Sequence, residues 1–317
     1  MNAITFRCYK PGDEAGIVSL WNRCLVRDPV TALRFRKLVL LDPNFDPQGM
    51  RVAEADGAVI GCLYAVRRLL PMHGVELEAD RGWIPFFFVD AGYRRLGVAA
   101  RLLEDAQAFL REAGRDKLLF SGYAPNYIVP GIDMKAYSSG AEFLQRSGFN
   151  KLYTAVAMDY SLVEFEVPDD VQQLKRERER EGYTFRMAAD SDLYELIRFA
   201  TESFNPDWGR AIREGLQQQL TLQQIIVARH HGELVGFCLH GGYEGVRERF
   251  GPFGVDPRER GKGIGKILLY DCLQLMRAQG LHGAWFLWTG EKTAAGQLYV
   301  KLGFEITRRF DVMVKAL

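Results

Sequence analysis

The residues of this chain with the clearest chemical use are glycines. The stretch Val255-Asp256-Pro257-Arg258-Glu259-Arg260-Gly261-Lys262-Gly263-Ile264-Gly265-Lys266 stands between an apolar run and an amphipathic run reaching about Gly280. Glycines at 261, 263 and 265 remove the side chains that would hold a ligand away from the backbone. Successive N–H groups at a helix start, with the positive end of the helix dipole behind them, form a cradle for a pyrophosphate. Two common phosphate signatures do not fit. Lys266 is followed by Ile267 rather than Ser or Thr, and it occupies the place of the third glycine in a dinucleotide fingerprint. What survives is the spacing R-x-x-G-x-G from Arg260 to Gly265, answered by R-x-x-G-x-A in Arg94-Arg95-Leu96-Gly97-Val98-Ala99. Two copies in matching frames argue against coincidence.

The elements around these turns repeat as well. Thr5-Phe6-Arg7 and Thr184-Phe185-Arg186 each lead from a strand through a turn into a helix, with Asp13 and Asp190 or Ser191 as N-caps. Hairpins follow at 51–62 and 225–237, turning at Asp56-Gly57 and His231-Gly232. A strand, a glycine turn and a long helix occupy 86–110 and again 253–276, and both halves close on Gly148-Phe149 or Gly303-Phe304. Arg94 and Arg260 stand 166 positions apart but Gly148 and Gly303 only 155, so the first copy holds an insertion at Tyr123–Asp133. Between the copies, Gln172–Glu181 is polar all round and reads as a solvated linker helix. The predicted architecture is α/β, with domains at 1–163 and 183–317 joined by a charged helix at 164–182. Pro252 interrupts one strand of the second half. Its missing N–H leaves either an open ladder that can pair with an amide-bearing ligand or a simple kink.

Both halves resemble the GNAT superfamily of acetyl-CoA-dependent N-acetyltransferases. The family's cofactor loop reads Arg/Gln-x-x-Gly-x-Gly/Ala and its last helix ends in Tyr-x-x-x-Gly-Phe. The resemblance runs from about 4 to 162 and from 183 to 317. It implies two tandem domains, each a mixed splayed sheet flanked by helices, with acetyl-CoA as co-substrate. By the same resemblance the donor would lie along Phe253, Gly254 and Val255 and on Arg260, Gly261, Lys262, Gly263, Ile264, Gly265 and Lys266. In the first half it would lie along Phe88 and Val89 and on Arg94, Arg95, Leu96, Gly97, Val98 and Ala99. Tyr299 takes the position of the acid that protonates the departing thiolate, whereas Leu144 stands there in the first half and cannot give a proton. Lys292 replaces the Asn usual before that helix. Glu248 is the candidate base, with Glu244 and His240 beside it, while Glu76, Glu78 and Asp80 occupy the comparable stretch of the first half.

These features favour the second half for turnover, by direct transfer to an amine. Two alternatives stand beside that expectation. One is a non-catalytic acyl-CoA-binding or regulatory protein. The other is catalysis in the first half, with Tyr123, Tyr127 or Tyr137 supplying the proton. None of the five cysteines stands in a nucleophile context. A small-molecule or peptide amine fits equally as acceptor, and so does a monomer or a homodimer.

Composition narrows the rest. Over 317 residues, 41 Lys and Arg balance 40 Asp and Glu, which argues against a nucleic-acid surface. The longest apolar stretch, Ile84–Val89, is far short of the roughly 20 residues of a membrane span. No signal-peptide pattern opens the sequence, and the odd, scattered cysteines include no C-x-x-C pair, so a cytoplasmic location is expected. The five histidines show no metal-ligand spacing, and no metal is expected.

Overall fold

The structure, a computed structural model, describes residues 3–317. The chain divides into two units. The first takes residues up to 71, Glu76–Ala155 and Arg309–Leu317; the second takes Met72–Val75 and Val156–Arg308. No helix among the described residues is long and apolar enough to cross a membrane.

In the first unit the order is β1 (Thr5–Cys8), α1 (Glu14–Cys24), a short α2 (Ala32–Phe35), β2 (Met50–Ala55), β3 (Ala58–Val66) and β4 (Arg81–Val89). Then come α3 (Val98–Glu112), β5 (Lys117–Phe120), α4 (Ser138–Arg146) and the start of β6 (Asn150–Ser161). Strands β1 to β4 are antiparallel neighbours, and β5 joins β4 in parallel. Residues Met313–Ala316 pair antiparallel with the other edge of β5. Asp56 and Gly57 turn the β2–β3 hairpin with φ of 52° and 74°, the left-handed pair that matches strand twist. Helix α3 buries Leu102, Leu103, Ala106 and Leu110 against Ile84 and Leu118. Helix α1 buries Ile17, Leu20 and Trp21 with Phe86 and Phe88, so β4 feeds cores on both faces of the sheet.

Strand β4 leaves β5 early. Their pairing ends at Ile84 and Phe120, whereas β3 stays paired with β4 up to Val89. From Pro85 onward β4 therefore has one open edge. Asp90 N–H donates to Ile60 O at 2.8 Å on the β3 side. Because strand backbone groups alternate sides, the N–H groups of Phe87 and Val89 point to the open edge.

The second unit contains α5 (Asp169–Arg180), β7 (Tyr183–Met187), α6 (Leu193–Ser203), α7 (Pro206–Gln218), β8 (Ile225–His230), β9 (Glu233–His240) and β10 (Phe250–Val255). It continues with α8 (Ile264–Ala278), β11 (Gly283–Thr289), α9 (Ala294–Lys301) and β12 (Glu305–Ala316), whose residues from Arg309 on belong to the first unit. Strands β7 to β10 form an antiparallel sheet, and β11 pairs with Val156–Ser161 of β6. An isolated bridge between Arg249, just before β10, and Trp285 of β11 links the two strands at that end, and among the described residues no ladder joins β10 to β11 beyond it, so here too the strands splay. Pro252 falls in a break of the β9–β10 register between Phe250 and Phe253, where its missing N–H breaks no ladder bond.

Two expectations need correcting. Helix α5 is not solvated all round: Val171 is buried, and Lys175 Nζ meets Asp271 Oδ2 on α8 at 2.8 Å. Neither Asp190 nor Ser191 caps the helix that follows β7. Asp192 accepts from Arg186 at 2.6 and 2.9 Å and from Ala189 N–H at 2.8 Å. Asp13 does the same with Arg7 and Lys10 N–H. The repeated carboxylate ties strand to turn instead of capping a helix.

Candidate active site

In the first unit the glycine turn ends as the sequence predicts. Asp90 accepts from Gly92 N–H at 3.0 Å and shapes the bend. Gly97, at φ 81°, is the N-cap residue of α3, a left-handed position that favours glycine. No side chain caps this helix, so the N–H groups of Val98, Ala99 and Ala100 lack intrahelical partners. The space where a Cβ on Gly97 would stand is open. Arg94 Nε donates to Val89 O at 3.3 Å. Leu96 is exposed on the outside of the bend.

A cavity of about 520 Å³ opens at this turn and follows the unpaired edge of β4. Its α3 side is lined by Arg94, Arg95, Gly97, Val98, Ala99 and Ala100, with Phe143 and Arg146 of α4. Its α1 side is lined by Trp21, Cys24, Leu25, Val26 and Asp28, with Phe86, Phe88, Ile128 and Val129. The splay of β4 from β5 thus leaves a passage from one face of the sheet to the other. Tyr137 sits where the sides meet, at the N-terminus of α4. Its hydroxyl donates to Asp28 Oδ2 at 2.6 Å and accepts from Arg27 N–H at 3.2 Å. Burial pushes the Cys24 thiol above its ordinary value, so this cysteine is no ready nucleophile.

The second unit has the same parts in a different state. Gly263, at φ 78°, is the N-cap residue of α8. A Cβ there would stand 2.6 Å from Leu174 of α5, whose side chain lies against the turn. Lys262 Nζ reaches Glu259 at 2.9 Å and the Tyr183 hydroxyl at 3.0 Å, and Lys266 Nζ reaches Asp170 at 2.6 Å. Burial pushes the Glu259 carboxyl up, but its bonds to Tyr183 and Lys262 outweigh that and hold it below its ordinary value. Both lysines of the turn are thus engaged within the unit. Arg260 and Gly261 are exposed, and Ile264 packs into the core.

Aromatic rings of β10, β11 and α9 pack together in one core. Tyr299 is buried with its ring 4.6 Å from Phe286, 5.4 Å from Phe304 and 6.2 Å from Phe253. Burial raises its phenol well above the ordinary value, which makes it a poorer acid. Against Gly254 lies Phe204, 2.6 Å from where a Cβ would stand, stacked in turn on Trp208. Val255 packs beside this core.

Glu248 stands before β10, its carbonyl accepting from Trp285 N–H at 3.0 Å. Glu244 pairs with Arg249 at 3.1 Å. His240 is fully buried, Nδ1 facing Arg247 O at 2.8 Å, and burial lowers its basicity. In the first unit Glu78 pairs with Arg68, and Asp80 with Arg81 and Lys117. Tyr123 is buried and bonded to Asn44 at 2.6 Å. Asp28 escaped the sequence reading, because it lies in an irregular segment with no motif around it. Among the described residues no His, Cys, Asp and Glu gather in a group able to hold a metal.

Comparisons with known proteins agree with the duplicated plan. An acetyltransferase (GNAT) family model matches residues 16–127, and an acetyltransferase (GNAT) domain model matches 221–306. A mycothiol acetyltransferase of Saccharomonospora viridis is 26% identical over 317 residues, covering 90% of this chain and 95% of the relative. Among solved structures, the glucosamine N-acetyltransferase region of a fungal multi-domain β-N-acetylglucosaminidase superposes with TM-score 0.81 at 19% identity. The alignment covers 99% of this chain and 38% of that one. A tandem GNAT protein from the clavulanic acid biosynthesis pathway gives 0.64 at 15% identity, over 99% and 98% of the two chains. The chain belongs to the GNAT superfamily as a tandem, two-domain acetyltransferase, and acetyl-CoA is the acyl donor of that family.

Proposed function

We propose that this enzyme transfers acetyl from acetyl-CoA to an amine in the cavity of the first unit, with the second unit in a structural role. One observation carries the reading. An open passage runs from bare amides at the start of α3 to the Tyr137–Asp28 pair, while in the second unit Tyr299 is buried among Phe253, Phe286 and Phe304. The donor fits the first cradle, since nothing stands over Gly97. The N–H groups of Val98, Ala99 and Ala100 would hold the diphosphate, and Arg94 and Arg95 add positive charge along the same wall, where Arg146 is paired with Glu142.

Acetyl-CoA supplies the activated thioester. The N–H groups of Phe87 and Val89 on the open edge of β4 are the donors for charge developing on the acyl oxygen. Asp28 takes the proton that the attacking amine loses, directly or through Tyr137. The Tyr137 phenol gives its own proton to the departing sulfur and is restored from Asp28, so no proton is left over.

Thiol release with an amine acceptor tests the assignment. Tyr137→Phe is expected to lower kcat about 100-fold, in the range of a lost general acid, with KM for acetyl-CoA little changed. Tyr299→Phe is expected to stay within about twofold of wild type. The opposite pattern would move catalysis to the second unit.

A further inference from the structure

We infer that the acceptor is a small monoamine carried on an apolar, aromatic or branched aliphatic body. This deepens the proposed function and rests on catalysis in the first unit. Beyond the Tyr137–Asp28 crossing, the wall of the cavity is apolar apart from the Cys24 thiol: Trp21, Leu25, Val26, Ile128 and Val129 line it, with Phe86 and Phe88 of β4 behind. The indole N–H of Trp21 is already given to Asp28 O at 2.7 Å. Asp28 is the carboxylate on this side, whereas Arg94 and Arg95 lie on the α3 side, where Glu142 of α4 pairs with Arg146 at 3.6 Å. The cavity is therefore electrically polar along its length. Its cationic end suits a diphosphate and its anionic end an incoming ammonium.

Such a wall selects by what it cannot bond. Hydroxyl groups of an aminosugar would give up water for carbon surfaces, whereas a phenyl or isobutyl group would be desolvated favourably. The carboxylate captures the ammonium, which loses one proton to water before attack, and Asp28 then takes the proton that the amine loses on attack.

The test compares 2-phenylethylamine, 3-methylbutylamine and D-glucosamine as acceptors for the full chain, following thiol release, with acetyl-CoA binding measured separately by titration. The two apolar amines are expected to exceed glucosamine in kcat/KM by at least about tenfold, the discrimination available to an apolar pocket. Leu25→Asn, checked for folding by circular dichroism, should narrow that ratio while leaving acetyl-CoA binding unchanged. Equal or better use of glucosamine would overturn the acceptor class and leave the transferase reading standing. Binding of acetyl-CoA without turnover of any of the three amines would overturn the transferase reading and this inference with it.

Discussion

Arg186 and Asp192 show how one residue pair can matter in a repeat without touching a substrate. The Asp192 side chain is 2% exposed and is bonded by Arg186, Arg229 and the Ala189 N–H. The bidentate bond from Arg186 outweighs burial and draws its pKa down from 3.8 to about 2. A folded-state value below the unfolded one means that the carboxylate stabilises the fold at neutral pH. That contribution is present above about pH 4 and fades as pH falls toward 2. Asp192→Asn is therefore expected to destabilise the chain by about 1–3 kcal/mol at pH 7, with the gap to wild type narrowing below pH 3. Thermal melts at both pH values check this, and an undiminished gap in acid would sink it. The motif behind the pair is visible in sequence as two Thr-Phe-Arg strands, but the carboxylate that completes it is Asp192 and not Asp190 or Ser191, because the arginine that claims it lies on the strand and not on the helix. Tyr299 and Tyr137 carry the same lesson. Their types could be read from the string, but whether a phenol faces a cavity or a core depends on residues far along the chain, such as Phe253 and Phe286 for one and Asp28 for the other.

At the scale of elements, the two helix starts after β4 and β10 share a spacing, a left-handed glycine and a strand that leaves its neighbour. All of that was legible, since glycine spacing and an apolar run constrain a strand-to-helix turn locally. What covers each turn was not. Helix α5 reads as polar on every side, but Val171 is buried, Leu174 lies against the turn at Gly263, and the helix packs on α8. The same substitution in the two turns should then have unequal effects. Gly97→Ala meets open space and adds only the left-handed backbone strain of about 1–2 kcal/mol. Gly263→Ala adds that strain and also a Cβ 2.6 Å from Leu174, so it should lower the melting temperature further. A Gly263→Ala melt no lower than that of Gly97→Ala would show that α5 does not hold this turn.

At the scale of the whole molecule, the duplicated order of elements was readable from end to end, and it suggested two domains divided along the chain at 163 and 183. The contact pattern assigns segments differently, with Arg309–Leu317 counted to the first unit. Sequence similarity could not reveal this, because a closing strand carries the same alternating pattern whichever sheet receives it. The consequence reaches the site. Met313–Ala316 pair with β5, which flanks the splay, and Phe310 lines the cavity. Removing Arg309–Leu317 takes one neighbour from β5 and, with Phe310, part of a cavity wall that lies more than half the chain away in sequence from the turn at Gly97. We therefore expect titration calorimetry to give one acetyl-CoA per intact chain, bound in the first unit, and to give no measurable binding after truncation at Arg308. The aromatic core of the second unit, from Phe250 to Tyr299, is untouched by that truncation, so retained binding of one acetyl-CoA by the truncated chain would place the donor site in the second unit instead.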